Sequence, residues 1–345
     1  MNTEKTYMKR CLELAAKGLG HVAPNPMVGC VIVYNDHIIA EGYHEQFGSA
    51  HAEPNAIKQV EDDLLKKSTL YVNLEPCSHF GKTPPCADLI ISKGIKKVVV
   101  GNLDPNPLVA GKGIQKLKDA GIEVVQGILD KECRELNKRF FTFHEKKRPY
   151  IILKWAQTND GFISQWPIPE NREDNRITGD ESHKLVHVWR GQEQAILIGY
   201  NTLMNDNPFL TTRLADGKNP VRIVMTRHLD FPYNLNVFNK EAPTIIYNSV
   251  KNDVQDNCSF IKIDWENKLQ EILDDCYSKN IASIIVEGGT NTIYNFMNKN
   301  CWDEARVFVN PHKAFEHGIA APEIKLNATL SLNLGNDLLY TIINK

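Results

Sequence analysis

The sequence predicts two α/β domains joined near residue 147. In both halves short apolar runs alternate with amphipathic helical patterns, which is typical of layered sheets covered by helices. A chain of 345 residues is long enough to bury two separate cores. The charged run Glu145-Lys146-Lys147-Arg148-Pro149 interrupts the alternation, and a polar segment ending in proline favours a junction. We therefore expect domains at 1–146 and 147–345, with an exposed loop inside one domain as the alternative.

The first half opens with an amphipathic pattern whose apolar stripe includes Tyr7, Met8 and Cys11, so a helix is expected there. A turn at Asn35-Asp36 indicates a hairpin, and Gly94 marks the end of a later helix. The predicted order is helix 4–17, strands 28–34 and 37–42, helix 56–65, strand 69–74, helix 86–93, strand 97–101, helix 113–120, strand 123–127 and helix 131–143.

The second half repeats the alternation with a different set of turns. The predicted order is strand 150–158, helix 180–191, strands 195–199, 221–226 and 244–247, helix 268–277, strand 283–287, a helix to about 298, and strands 306–310 and 338–343. The strand that ends at Glu287 runs into Gly288-Gly289-Thr290, where glycines and free helix N–H groups favour an anion. The Rossmann pattern G-x-G-x-x-G is absent, and a plain strand-to-helix turn fits equally well.

Composition excludes several classes of partner. The net charge is −2 and the isoelectric point is near 6.6, which gives no electrostatic basis for binding nucleic acid or a membrane surface. No run of eighteen apolar residues is present, and the N-terminus has no apolar signal core. Eight cysteines in a chain this long do not form a disulfide framework, so the expected compartment is the cytoplasm.

The residues that carry the clearest chemistry are His51, Glu53, Cys77 and Cys86. One imidazole and two thiolates can bind zinc and leave a fourth position for water, which is the arrangement of a catalytic site. Bound zinc brings the pKa of water near neutrality. A hydrolytic deaminase also needs a proton carrier that is not a ligand, and Glu53 fits that role.

The same residues also allow interpretations without a catalytic zinc site. The two cysteines could be buried free thiols, with a surface histidine and a solvated glutamate nearby. A structural zinc site would need a fourth cysteine or histidine at finger spacing, and none is found. His79 lies between the cysteines and is a rival ligand or a substrate contact.

Four motifs in fixed order carry a family resemblance. They are Pro24-Asn25-Pro26-Met27-Val28-Gly29, His51-Ala52-Glu53, the run from Cys77 to Cys86, and Asp104-Pro105-Asn106-Pro107. In these motifs the first half resembles the deaminase half of the bifunctional riboflavin-biosynthesis deaminase/reductases. General cytidine and transfer-RNA deaminases usually have a tighter Pro-Cys-x-x-Cys. Residues 150–300 resemble the reductase half of the same family in Lys154–Gly161, in Arg190–Arg213 and in Val286–Gly289.

The resemblance implies an α/β fold, with an N-terminal cytidine-deaminase-like three-layer α/β/α domain and a C-terminal dihydrofolate-reductase-like α/β domain. It implies Zn2+ and NADPH as cofactors and a small phosphorylated pyrimidine as substrate, and it is compatible with a homo-oligomer. The implied reactions are zinc-dependent hydrolytic deamination of 2,5-diamino-6-ribosylamino-4(3H)-pyrimidinone 5′-phosphate and NADPH-dependent reduction of its ribose to a ribityl chain.

The resemblance also implies site residues by position. The deaminase substrate contacts are Asn25, His44, His79, Lys82, Asp104 and Asn106. The reductase substrate contacts are Lys154, Arg190, Leu210, Arg213 and Glu287. The cofactor contacts are Ala156, Thr202, Asp206, Gly289, Thr290, Asn291, Thr292, Ile293, Tyr294 and Asn295. Charge favours Lys82, Arg190 and Arg213 as phosphate ligands, and a surface ion pair is the alternative for each arginine.

Several departures from the family pattern bear on the second domain. Asp174-Asn175-Arg176 stands where many members have Ser-x-Trp, and Thr226-Arg227 stands where Asp-Ser is frequent. Residues 312–330 lack an expected glycine-rich pattern, and in the first domain Pro54 restrains the residue before it. The alternative function is therefore an active deaminase with a degenerate or differently specific reductase domain. A nucleic-acid-editing deaminase and a non-enzymatic zinc scaffold are more distant alternatives.

Overall fold

The structure is a computed structural model that describes residues 3–78, 84–107, 109–324 and 329–344. The chain divides into two compact units, Met1–Lys147 and Arg148–Lys345. Within the described ranges, no helix combines the length and the apolar character needed to cross a bilayer.

The first unit is built on a five-stranded mixed sheet in the order β2-β1-β3-β4-β5. Its elements are α1 (Thr3–Ala16), β1 (Gly29–Tyr34), β2 (His37–Tyr43), α2 (Ala52–Ile57), α3 (Asp62–Leu65), β3 (Thr69–Leu74), α4 (Cys86–Ser92), β4 (Lys97–Asn102), α5 (Lys112–Asp119), β5 (Glu123–Gln126), α6 (Asp130–Leu136) and α7 (Lys138–Lys146). β1 pairs antiparallel with β2 and β3, whereas β3, β4 and β5 are parallel.

Helices cover both faces of this sheet, because successive strand residues point to opposite sides. Ile32 belongs to a buried cluster with residues of α2, α4 and α5, whereas Val31 belongs to a cluster with residues of α1 and α6. The close approach of α2 depends on Gly42, since a Cβ there would lie 2.5 Å from the Ala52 carbonyl oxygen. The first unit is thus a three-layer α/β/α structure whose sheet edge places the start of α2.

The second unit has a ten-stranded sheet in the order β11-β12-β10-β9-β8-β13-β6-β14-β17-β16, and a two-stranded sheet of β15 and β7. Its elements are β6 (Tyr150–Thr158), β7 (Phe162–Gln165), α8 (Asp180–Gln192), β8 (Ala195–Gly199), α9 (Tyr200–Asp206), β9 (Val221–Met225), β10 (Thr244–Asn248), β11 (Asp253–Gln255), β12 (Cys258–Lys262), α10 (Lys268–Ser278), β13 (Ser283–Glu287), α11 (Thr290–Asn298), β14 (Glu304–Asn310), β15 (Gly318–Ala320), β16 (Thr329–Leu334) and β17 (Asp337–Ile343), with 3₁₀ turns at Arg172–Asn175 and Asn236–Phe238.

The centre of the large sheet is parallel from β12 to β14, and antiparallel strands flank it at both edges. One face buries residues of α10 and α11 against the strands, and the other buries α8 and α9. In an open parallel sheet, ligands bind outside the carboxyl ends of the strands, which is where β6, β8 and β13 lead into the second site.

The structure corrects two predicted helices. The segment 56–65 is not one helix, because α2 begins earlier, at Ala52, and a separate short helix follows at Asp62. The segment 131–143 is divided between α6 and α7 at Asn137, whose backbone leaves helical geometry at ψ 22° while its side chain binds the Met27 backbone. Short strands such as β7, β11 and β15 were outside the prediction because each is three or four residues long.

Asp337 fastens the C-terminal hairpin to the start of α8. Its buried Oδ2 accepts hydrogen bonds from the Gly179 backbone N–H at 2.8 Å and from the Ser182 hydroxyl at 2.6 Å. Gly179 is the N-cap of α8 and has no side chain to cap the helix. Asp337 therefore accepts the backbone N–H of the N-cap residue from another element, a bond that the N3 side chain of a capping box would otherwise make.

We expect Asp337→Ala to destabilise the second unit by about 1–2 kcal/mol, because it removes the acceptor of the Gly179 N–H and of the buried Ser182 hydroxyl. Chemical denaturation followed by tryptophan fluorescence measures this change, since all five tryptophans lie in the second unit. The matched control is Asp274→Ala at an exposed position of α10, which should change the free energy of unfolding by less than about 0.5 kcal/mol. Equal effects of the two variants would contradict the capping role.

Candidate active sites

The predicted metal ligands of the first unit come together. The Nδ1 atom of His51 and the Sγ atoms of Cys77 and Cys86 all lie within 4.8 Å of one another. Nδ1 is 3.6 Å from the Cys77 sulfur and 3.4 Å from the Cys86 sulfur. Ligands around one tetrahedral zinc ion with ordinary bond lengths would be separated by ~3.5 Å. The donor set of one nitrogen and two soft sulfurs therefore fits zinc and leaves a fourth position open.

Three different elements deliver these ligands. His51 is the N-cap residue of α2, Cys77 follows the end of β3, and Cys86 is the first residue of α4. The Cys86 backbone N–H donates to the Cys77 sulfur at 3.3 Å. Hydrogen bonding from Cys86, together with the His51 imidazole, lowers the pKa of the Cys77 thiol well below its ordinary range. Both interactions favour the thiolate, which is the form that binds metal.

Glu53 lies in the first turn of α2, two residues after the His51 ligand, and its side chain is only 3% exposed. Burial raises the pKa of the Glu53 carboxyl to about 7, and the neighbouring Cys77 thiolate adds to the rise. Pro54 occupies the same turn, where backbone N–H groups have no helical partner, so the proline removes no helix hydrogen bond. Its presence is compatible with the placement of Glu53 beside the ligands.

Buried His44 and half-buried Asn25 form a hydrogen-bonded pair next to the metal ligands. The His44 Nδ1 atom is 3.1 Å from the Ala50 carbonyl oxygen, which can only accept, so Nδ1 carries the proton. His44 Nε2 then accepts from the Asn25 amide at 3.3 Å. Burial lowers the pKa of His44, and its ring contacts the His51 ring edge-on with centroids 5.4 Å apart. His44 is therefore a neutral imidazole that abuts the ligand His51.

Asp104 and Asn106 lie in the loop that follows β4. Asp104 is buried, accepts a hydrogen bond from the Asn106 backbone N–H at 2.8 Å, and burial raises the pKa of its carboxyl to about 6. Two other predicted substrate contacts, His79 and Lys82, lie outside the described residues.

Glu75 was not predicted, yet it organises the surroundings of Cys77. Glu75 is only 4% exposed. Its carboxylate accepts four hydrogen bonds of 2.9–3.2 Å, from the backbone N–H groups of Asp104, Gly111, Gly113 and Ile114. Two of these donors start α5, where an anion is favoured. Glu75 therefore ties the loop that carries Asp104 to the end of β3, directly before the ligand segment.

Two buried asparagines hold the Pro24–Gly29 segment in a similar way. The Asn137 side chain accepts from the Met27 N–H at 2.8 Å and donates to the Met27 carbonyl oxygen at 2.9 Å. The Asn73 side chain donates to the same carbonyl oxygen at 3.0 Å and accepts from the Gly29 N–H at 2.7 Å. Asn25 reaches His44 from this clamped segment. No sequence motif marked Asn73 or Asn137, because their targets lie far away in the sequence.

The second unit contains a cavity of about 1080 Å³ above the ends of β6, β8 and β13. Most of the predicted cofactor positions line it. The lining members are Ala156, Thr202, Asp206, Gly289, Thr290, Asn291, Thr292 and Asn295. Ile293 instead is fully buried in the core, and the Tyr294 hydroxyl accepts a hydrogen bond from the Glu323 backbone.

The turn at Gly288-Gly289 is shaped for close approach of a ligand. Gly288 has φ +158°, and a Cβ placed on Gly289 would meet no atom within 4 Å. The Gly289 N–H donates to the Thr202 hydroxyl at 3.2 Å, and Gly289 is the N-cap of α11. A cavity of this size with a glycine turn and a helix N-terminus fits a phosphate-containing dinucleotide such as NADPH.

A buried charge cluster borders the same cavity. Arg190 donates to both carboxylate oxygens of Glu287, at 2.9 and 3.4 Å, and the Lys154 ammonium lies 3.9 Å from Glu287. Burial alone would raise the pKa of Glu287, but Arg190 and Lys154 outweigh it and lower the pKa to about 2. Burial also lowers the pKa of Lys154. The cluster holds an ionised carboxylate between two cations at the cavity wall.

The remaining predicted substrate contacts lie on the loop of residues 207–213, called here the substrate loop. Leu210 is buried, whereas Arg213 is exposed and stacks on Phe209 at 4.9 Å from the ring centroid. The Thr211 carbonyl accepts from Arg190 at 3.4 Å, and the Thr211 hydroxyl accepts from Arg213 at 3.1 Å. Thr211 thus connects the two arginines that the sequence marked as phosphate ligands.

Comparison with known proteins agrees with this geometry. Residues 1–102 match the model of the cytidine and deoxycytidylate deaminase zinc-binding region, and residues 149–313 match that of the RibD C-terminal domain. Riboflavin biosynthesis protein RibD of Aquifex aeolicus is 41% identical, with 97% of each chain covered. The chain belongs to the RibD family. The crystal structure of a diaminohydroxyphosphoribosylaminopyrimidine deaminase/5-amino-6-(5-phosphoribosylamino)uracil reductase from Thermotoga maritima is 37% identical and covers 99% of each chain at a TM-score of 0.89.

An Acinetobacter baumannii RibD structure is also similar, with 30% identity, 99% of this chain covered, 98% of that chain covered and a TM-score of 0.87. Membership in the RibD family confirms the expected fold, with a cytidine-deaminase-like first unit and a dihydrofolate-reductase-like second unit. It also confirms zinc and NADPH as the cofactors expected of a RibD protein.

Two residues at which the chain departs from the family pattern, Asn175 and Arg176, line the cavity of the second unit. The Asn175 side chain bonds the Gln165 N–H at 2.8 Å and the Ser164 hydroxyl at 3.0 Å, so it fixes β7. The cavity is also lined by residues that sequence reasoning missed. They include Trp166, His228, Asp230 and Trp265.

We expect Glu75→Gln to weaken zinc binding by about tenfold or more, because one amide oxygen cannot accept the N–H groups that the two carboxylate oxygens hold. Competition with a chelator measures the affinity. The matched control is Glu135→Gln, which changes an exposed carboxylate of the same unit that pairs with Lys138 and should leave the affinity unchanged. Unchanged affinity in the Glu75 variant would show that the Cys77 segment is placed without it.

Proposed function

We propose that this chain deaminates 2,5-diamino-6-ribosylamino-4(3H)-pyrimidinone 5′-phosphate in its first unit and reduces the ribose of the product in its second. The observation that carries the proposal is the cluster of His51, Cys77 and Cys86 with the buried carboxyl of Glu53 beside it. The Thermotoga maritima relative, whose name contains both activities, supports the pairing of the two reactions.

In the first unit the protein side chains hold the reactants and move protons. Zinc, when bound, would bring the pKa of water toward neutrality. Glu53 accepts a proton from the attacking water and returns protons to the ring nitrogen and to the departing ammonia. Asn25, His44, Asp104 and Asn106 would hold the base and its ribose, and Lys82 would bind the phosphate by charge.

In the second unit the cavity would hold the deaminated product next to the cofactor. NADPH, when bound along the Gly288–Asn295 turn and helix, would supply the hydride that reduces ribose C1. Lys154 and Glu287 position the sugar at the cavity wall. Arg213, with exposed N–H donors on the substrate loop, is the better placed phosphate ligand, because Arg190 is engaged by Glu287 and Thr211.

The surroundings of these reactions follow from charge and cysteine chemistry. A net charge of −2 supports a small-molecule substrate in place of nucleic acid or a membrane surface. All eight cysteines are unpaired, which supports a location in the reducing cytoplasm. The two proposed reactions are also compatible with a homo-oligomer.

A coupled assay tests the proposal. The purified, zinc-loaded chain is given the diaminopyrimidine ribosyl phosphate with NADPH, with NADH or with neither, and ammonia and absorbance of reduced nicotinamide are followed together. We expect ammonia release without any nicotinamide, followed by oxidation of NADPH in preference to NADH. Protein stripped of zinc should release no ammonia but should still oxidise NADPH when supplied with the deaminated product.

Ammonia release without NADPH oxidation would support the alternative, a degenerate or differently specific second unit. A lack of both signals in zinc-loaded protein would overturn the substrate assignment.

A further inference from the structure

The substrate loop is held in a strained backbone conformation. Leu210 has φ +55°, in the left-handed region that a branched side chain adopts at a cost, and Asn207, the C-cap of α9, enters the same region at φ +39°. Such residues persist only where surrounding contacts determine their conformation, and they concentrate at ligand-binding sites. The contacts that hold this loop are therefore informative about its role.

Hydrogen bonds from outside the loop anchor it at both ends. At the start, the Asn207 side-chain oxygen and carbonyl oxygen both bond Asn236 at 2.7 Å. At the end, the Thr212 N–H donates to Asn219 at 2.8 Å, and the Arg213 N–H donates to His187 Nδ1 at 3.0 Å. His187 lies on α8, one helical turn before Arg190, and is completely buried.

The protonation state of His187 follows from this contact. Because Nδ1 accepts an N–H, the proton of the neutral ring must be on Nε2. Nε2 has no hydrogen-bond partner within the part of the chain that the structure describes. Burial, with Arg190 nearby, lowers the pKa of His187 to about 4, so the ring stays neutral and adds no charge to a region that already holds two arginines.

His187 thereby connects the two sources of positive charge. α8 carries Arg190, the loop carries Arg213, and the imidazole joins the helix to the loop backbone. We infer that His187 is a positioning residue for the substrate of the second unit, whose Nδ1 atom fixes the Arg213 backbone and so places Arg213 for the substrate phosphate. This inference rests on the proposed function, because the phosphate that Arg213 would bind belongs to the deaminated product.

Three variants separate the hydrogen bond from simple packing. His187→Asn keeps an acceptor near the position of Nδ1, His187→Gln places its amide near Nε2, and His187→Leu removes both. We expect the Gln and Leu variants to raise the KM for the deaminated product about tenfold, and the Asn variant to stay within about threefold of the parent protein. The KM for NADPH should be unchanged in all three, which also shows that the unit is folded.

A second measurement needs no turnover. Amide hydrogen exchange at Arg213 should be about tenfold faster in the Gln and Leu variants and near the parent rate in the Asn variant. Unchanged exchange in the Leu variant, or an Asn variant as impaired as the Leu variant, would overturn the inference while leaving the proposed function intact. A parent protein that releases ammonia but oxidises no NADPH would overturn the proposed reductase function, and the positioning role would be lost with it.

Discussion

Replacement of Glu53 by glutamine is expected to abolish deamination while the chain keeps its zinc. Glutamine preserves the size of the side chain but cannot accept a proton from water or return it to the ring nitrogen. General acid–base groups contribute up to about 10⁴-fold, so we expect ammonia release to fall by about 10³-fold or more. Ammonia is measured at saturating substrate, and zinc is measured by elemental analysis of the same preparation.

The matched control for this prediction is Glu132→Gln, an exposed carboxylate of α6, which packs on the opposite face of the sheet from α2 and α4, and this variant should retain full activity. The second unit provides an internal control, because NADPH oxidation with supplied deaminated product should be unchanged in the Glu53 variant. Loss of zinc in that variant would mean that Glu53 stabilises the metal site, and retention of activity would remove it from the mechanism.

Replacement of Glu287 by glutamine is expected to have a large effect on the stability of the second unit. The carboxylate lies between Arg190 and Lys154, and all three side chains are less than one-fifth exposed. The pKa of Glu287 falls from its ordinary 4.5 to about 2, a difference that corresponds to roughly 3 kcal/mol at neutral pH. Removing the anion leaves two buried cations without neutralisation, which is a costly change.

The expected loss depends on pH in a defined direction. A carboxyl whose pKa is lowered on folding stabilises the protein above pH 4.5, and this contribution is lost as the pH falls toward 2. The parent and Glu287→Gln proteins should therefore differ by about 3 kcal/mol at pH 7 and progressively less below pH 4.5. Tryptophan fluorescence during denaturation measures the difference, and Glu266→Gln at an exposed position is the control. A difference independent of pH would contradict the ion-pair explanation.

The sequence was most informative where the chemistry needs rare residue types at close spacing. His51, Cys77 and Cys86 stood out because few combinations bind zinc, and they lie together in the structure. The elements next to the two cysteines, β3 and α4, also followed from pattern, whereas the start of α2 beside His51 did not. The second site was predicted mainly through family resemblance, because glycines, arginines and threonines have many uses in proteins.

The groups that support both sites were not predictable in the same way. Glu75, Asn73, His187 and Asp337 each bind backbone N–H groups supplied by distant segments. Every residue except proline offers such a donor, so the sequence does not indicate which backbone N–H group a buried side chain will bind. Ile293 shows the reverse problem, because a position that a family pattern assigns to the cofactor lies in the hydrophobic core of this chain.

The order of strands in the second unit bears on how the protein forms during synthesis. β6 is the first strand of that unit to leave the ribosome, yet its two neighbours in the sheet, β13 and β14, follow more than 120 residues later. Parallel pairing between segments so far apart forms slowly, because the intervening chain must first be ordered. The first unit can fold while the rest is translated, whereas both edges of β6 stay unpaired until β13 and β14 have been translated. Nascent chains stalled before β13 should therefore already hold zinc and should still depend on chaperones for solubility.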